Sequence, residues 1–86
     1  MLIMNKKIEY GDKLIIGKKQ VIKGITEKKF SKVLIAANND SHFKNEIVKK
    51  CELNGIEYDI CLSKEELGIL CNIDVPCGVV GIEHKN

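Results

Sequence analysis

Apolar residues fall in short blocks separated by polar and charged runs, and the blocks differ in period. Leu14-Ile15-Ile16 is continuous and brief, as in a strand buried on both faces. From Lys18 to about Thr26 the spacing changes: Val21, Ile22 and Ile25 fall on one side and Lys19 and Lys23 on the other, which predicts a helix. Val33-Leu34-Ile35-Ala36-Ala37 is a second buried strand. Asn38-Asn39-Asp40-Ser41 is turn and N-cap chemistry, and the helix it opens runs to Asn54 with Phe43, Ile47, Val48 and Cys51 as its stripe. Asn54-Gly55 ends it. A third strand follows over 56–62. Ser63-Lys64-Glu65-Glu66 has the form of a capping box, and its helix continues to about Cys71. Pro76 and Gly78 make 72–78 a loop, and Val79-Val80-Gly81-Ile82 is the last strand.

Strands and helices alternate four times. That order predicts an α/β domain with helices on both faces of a mostly parallel or mixed sheet. Residues 1–12 read as an arm or a frayed helix, 28–32 as a basic connector with Phe30 turned inward, and 83–86 as a polar tail. At 86 residues the chain is one domain with a small core.

Charge changes the picture because of where it lies. The net charge is +2, yet residues 1–43 carry nine lysines against four acids and residues 44–86 five against eight. One basic face for a polyanion is the implication. Every basic residue is Lys, so bidentate guanidinium contacts are excluded. Without Trp and with few other aromatics, a stacking platform for single strands has little to work with. The first residues lack the order of charge and apolar run that a signal peptide needs, and no run reaches membrane-spanning length, so a cytoplasmic protein is expected.

The segment Gly17-Lys18-Lys19-Gln20-Val21-Ile22-Lys23 carries the most chemistry. A glycine turn leads into a helix N-terminus with unpaired N–H groups, and lysines crowd its first turn against the dipole. Such an end suits an anionic, base-bearing ligand; a solvated face is the plainer alternative. Ile73-Asp74-Val75-Pro76 places apolar residues on a loop, either to meet a ligand or partner or to fold beneath the loop into the core. The other combinations are weaker. Asp40-Ser41-His42 is an N-cap rather than a triad, because triads are assembled from distant residues. His42 and Glu46 offer two metal ligands without a third. Cys51, Cys61, Cys71 and Cys77 have neither zinc-finger nor redox spacing, and read as reduced thiols acting as small hydrophobes. No cofactor motif is present.

These pieces, in this order, resemble the small ribosomal proteins that bind kink-turn RNA, the L-seven-Ae and L-thirty-e group, most nearly its short bacterial members. The resemblance rests on Ile16-Gly17-x-Lys19-Gln20-x-x-Lys23, Val33-Leu34-Ile35-Ala36, Asn54-Gly55-Ile56, Ser63-Lys64-Glu65-Glu66-Leu67-Gly68 and Ile73-Asp74-Val75-Pro76. It implies a three-layer α/β/α sandwich around a mixed sheet of about four strands, and a non-enzymatic, monomeric RNA-binding protein at the ribosome, with ribosomal proteins as further partners. Carried over by residue, Gly17 permits close backbone approach, Lys19 and Gln20 read guanine edges, Lys23 meets phosphate or a guanine edge, and Ile73, Asp74 and Val75 cover an extruded nucleotide. Lys18, Lys28 and Lys32 join these as expected RNA contacts. Archaeal and eukaryotic binders carry Asn then Glu where this chain has Lys19 then Gln20, a pair that bacterial relatives tolerate. A protein-interaction module of the same fold without RNA binding is the alternative.

Overall fold

Leu14–Ile16 forms strand β1, and the chain turns at Gly17 into helix α1, Lys18–Thr26. Strand β2 is Phe30–Ile35, helix α2 Ser41–Leu53, strand β3 Glu57–Ile60, helix α3 Lys64–Leu70 and strand β4 Val79–Glu83. This computed structural model describes residues 14–60 and 62–84. The arm expected over 1–12, Cys61 and the end of the polar tail lie outside the described residues.

The four strands make one mixed sheet in the order β1-β4-β2-β3. β4 is antiparallel to both neighbours, and β2 and β3 are parallel. Alternation along each strand divides the core. Val33, Ile35 and Val79 face Val21 and Ile25 of α1 and Ile47 and Cys51 of α2. Ala36 and Val80 face the opposite way, onto Leu67 of α3, with Leu14, Leu34 and Leu70 packed alongside. Helices therefore cover both faces, and the domain is a three-layer α/β/α sandwich, as expected.

β2 begins three residues earlier than its apolar block, at Phe30 in the expected connector. Lys32 is compatible with this strand because its ammonium lies 2.9 Å from Asp59 on β3. Phe30 is 2 % exposed. Its ring occupies the space where a Cβ on Gly24 of α1 or on Gly81 of β4 would sit, so a larger residue at either position would have to displace the ring. β3 is shorter than the expected 56–62.

Register fixes what shares an end of the sheet. Ile16 pairs with Val80, Ile35 with Val79, and Ile60 with Ile35. The chain leaves β1, β2 and β3, and enters β4, at this same end. The connections that frame the functional surface therefore arise together. Phe30, Lys32, Glu57 and Glu83 mark the opposite end.

Candidate functional site

The three helix starts among the described residues are built differently. The Phe43 N–H donates to Asp40 Oδ1 at 2.7 Å, capping α2. At α3 the Glu66 N–H donates to Ser63 Oγ at 3.0 Å and the Ser63 N–H donates to Glu66 Oε1 at 2.9 Å, the expected capping box. α1 has no side-chain cap and no acid in its first turn. Its N-cap, Gly17, has φ +108°, a conformation that side-chain-bearing residues rarely take, and nothing lies within 4 Å of where its Cβ would be. A ligand can thus come against the backbone at a place where the helix's first N–H groups lack side-chain partners.

The lysines of this tip do not behave alike. Lys18 bends back over α2: its ammonium is 2.8 Å from Glu46 Oε1 and 5.4 Å from the centre of the Phe43 ring. That ammonium holds the Glu46 carboxyl below its usual range. Lys19 and Lys23 are exposed on one face of α1, with no ion pair among the described residues. Gln20 is exposed between them. Gln20 and Lys23 also border a shallow groove that continues past Ile15 to Phe30 and Glu83.

Beside the tip is a cleft of about 290 Å³. Ile16, Gly17 and Lys18 form one wall, and Pro76, Cys77 and Gly78, the base of the late loop, form another. Phe43, Asn39 and Lys64 complete it. Side-chain amides hold the frame. The Asn39 Nδ2 group donates to the carbonyls of Ala36 at 3.0 Å and Gly78 at 2.8 Å. The Lys64 N–H donates to Asn38 Oδ1 at 2.8 Å, and the Cys77 N–H donates to the Lys64 carbonyl at 3.0 Å.

The late loop divides its apolar residues. Ile73 is half-buried against the core on the α3 side, whereas Val75 is 62 % exposed and Asp74 is exposed. None of the three lines the cleft; they belong to the same loop farther out. Gly68 of α3 sets the loop's height, because a Cβ there would collide with the Val75 carbonyl oxygen.

Gly17, Lys18, Lys19, Gln20 and the late loop are brought to one end of the domain, and Lys23 continues from them along α1. Lys28 and Lys32 are not gathered with them. Lys28 follows the C-terminal end of α1, about 13 Å from the tip for nine helical residues. Lys32 sits at the far end of β2 beside Asp59. Lys64 and Asn39 were missed as cleft residues. In the sequence they count as capping-box and turn residues, and only the contacts of Asn38 and Gly78 reveal their position.

Fold and site together define a small α/β/α domain that presents an uncapped, basic helix end beside an open cleft. The model of the ribosomal protein L7Ae/L30e/S12e/Gadd45 family matches residues 3–86, and the chain belongs to that family. An RNA-binding protein of Caldanaerobacter subterraneus subsp. tengcongensis is 35 % identical over 63 residues, covering 73 % of this chain and 77 % of the relative. An RNA-binding protein of Bacillus pumilus is 25 % identical over 76 residues, 88 % of this chain and 93 % of the relative. Among solved structures, the Giardia lamblia 15.5kD RNA binding protein superposes with a TM-score of 0.84 at 27 % identity, over 99 % of this chain and 74 % of that one.

Proposed function

We propose that this protein is a non-enzymatic RNA-binding protein of the ribosomal type, which recognises a kink-turn or a similar sharply bent internal loop. The observation that carries the reading is the tip of α1: a positive-φ glycine with open space before it, no side-chain cap, and the exposed Lys19, Gln20 and Lys23 beyond it. The names of the two bacterial relatives and of the Giardia protein support RNA as the partner.

The chemistry follows from the groups present. Guanine offers O6 and N7 as acceptors, and the Lys19 ammonium can donate to both. Gln20 brings a donor and an acceptor to a base edge. Lys23 neutralises a phosphate one turn further along the helix. An A-form major groove is too narrow for a helix end, so the target must be bent and opened. Val75, at the outer part of the late loop, gives an apolar surface for a base that leaves the stack, and Lys64 adds a cation across the cleft. Lysine–phosphate contacts supply most of the affinity, and Lys19, Gln20 and the loop most of the preference. The protein acts as a monomer at the ribosome in the cytoplasm.

The test is a titration of a kink-turn RNA against a plain duplex of equal length at fixed salt. The kink-turn is expected to bind more tightly. Equal affinity for both would overturn recognition by shape.

A further inference from the structure

Asn39 lies between β2 and α2, one residue before the α2 N-cap, and is half-buried. Its amide extends the β2–β4 ladder by one rung. Ile35 pairs with Val79 at the end of the ladder, and one step beyond it the Ala36 N–H donates to the Gly78 carbonyl at 2.9 Å. Asn39 Nδ2 donates to that same Gly78 carbonyl at 2.8 Å and to the Ala36 carbonyl at 3.0 Å. Two acceptors on Nδ2 leave the amide one orientation. Its oxygen stands against Gly78, where a Cβ would lie 3.0 Å from Asn39 Oδ1 and 3.4 Å from Phe43 Cζ. The Lys18 ammonium in turn lies over the Phe43 ring, 5.4 Å from its centre. A continuous line of contacts thus runs from the base of the late loop to the tip of α1, through Asn39, Gly78 and Phe43.

We propose that Asn39 is a positioning residue for RNA, which holds the two walls of the cleft at the spacing that a bent RNA requires. The inference rests on the RNA reading above and adds to it a side chain whose two donors are already engaged by the protein. Gly17 stands in one wall of the cleft and Gly78 in the other. A duplex held through lysines and phosphates needs no fixed spacing between them. A kink-turn, met by the helix tip and the late loop at once, needs both walls in place, and a loop held beforehand loses less freedom on binding.

Asn39 acts on the wall rather than on the fold as a whole. Without its side chain the Gly78 carbonyl keeps the Ala36 N–H, and the Lys64 carbonyl keeps the Cys77 N–H. No charge leaves the surface, so the phosphate contribution to binding is untouched. What is lost is the amide's hold on Ala36 and Gly78 together.

The experiment compares the unaltered protein with Asn39→Ala, titrating a kink-turn RNA and a plain duplex at several salt concentrations. Asn39→Ala is expected to bind the kink-turn about threefold to tenfold more weakly, the range of one lost hydrogen bond, with duplex affinity and both salt slopes unchanged. Amide shifts should move at Cys77 and Gly78 and, through Phe43, at Gly17 and Lys18. The side-chain amide protons of Asn39 in the unaltered protein should exchange more slowly than those of Asn45, which is exposed. Full kink-turn affinity in the variant, equal losses on both RNAs, or Asn39 protons that exchange as fast as those of Asn45 would each overturn the role. If Asn39→Ala does not fold, Asn39→Ser, with one proton to donate in place of two, replaces it and should show a smaller loss of the same kind. Equal binding of both RNAs by the unaltered protein would overturn the RNA reading and this role together, whereas a preference that the variant keeps overturns this role alone.

Discussion

Lys18 and Glu46 bind each other across α1 and α2, ammonium to carboxylate at 2.8 Å, so one cation of the helix tip is already engaged by the protein. An exposed pair of this kind adds little to stability. Its effect falls on the charge offered to a ligand. Glu46→Gln should release Lys18 toward RNA, raise affinity, and steepen the dependence of log K on log salt by somewhat under one unit. Titrations at several salt concentrations measure this; an unchanged slope would show that Lys18 stays over Phe43 without its carboxylate. The pair also has a pH signature. Lys18 holds the Glu46 carboxyl low in the folded protein, so the contribution is present above the ordinary carboxylate range and disappears as pH falls through the lowered value.

Lys19→Ala should cost about 1–3 kcal/mol of kink-turn binding and narrow the preference over duplex. Lys23→Ala should weaken both RNAs alike and flatten the salt slope. Lys28→Ala and Lys32→Ala, at the other end of the domain, should leave binding within error. Parallel titrations of the four variants test the interface as a map; a large loss from either remote lysine would redraw it.

Gly68→Ala should disturb RNA binding without touching RNA. In the interior of a helix, alanine is favoured over glycine by about 1 kcal/mol. Here the added methyl meets the Val75 backbone and must displace the late loop. The expected result is chemical-shift or amide-exchange change over 72–78 together with weaker kink-turn binding. Wild-type behaviour in both would show that the loop has room to move.

Gly24→Ala presents the same conflict against the core. The methyl would enter the Phe30 ring, which Gly81 confines from the other side. Overpacking of this kind costs about 1–3 kcal/mol, more than the gain in helix propensity. A lower denaturant midpoint at unchanged m-value is the expected reading.

Alkaline pH should weaken the fold through Cys51. Burial pushes its thiol up to about 11 from an ordinary value of 9.0. The unfolded chain therefore releases this proton first. The contribution is complete below about pH 9 and is lost as pH rises toward 11, on the order of 2–3 kcal/mol in all. Denaturant titrations from neutral to alkaline pH, compared with Cys51→Val, isolate it; parallel curves for the two proteins would contradict the assignment.

Features that arise within a few residues were legible in the sequence. Gly17 announces its turn, and the backbone has the positive φ that only glycine takes easily. Ser63 and Glu66 stand at the spacing of a capping box and form one. A glycine in the middle of α3 suggests close packing of that helix on the sheet, but what comes close to Gly68 is the Val75 backbone of the late loop. What depends on contacts across the fold was less accessible. The lysines of 28–32 suggested a connector, because nothing local tells that Asp59 will lie beside Lys32 in the sheet. Ile73 and Val75 have the same apolar character and differ only in which is turned inward, a matter of how the loop crosses Gly68. Lys64 looked like an ordinary first-turn residue until Asn38 and Cys77 fixed it at the cleft.

Phe30 acts as a wedge between α1 and β4, seated where neither backbone bears a side chain. The seating of α1 on the sheet thus depends on a ring of β2 that packs near the C-terminal end of the helix, opposite the Gly17 tip. A bulkier or smaller ring there would shift α1 against β4, and with it the direction in which the first turn of the helix points.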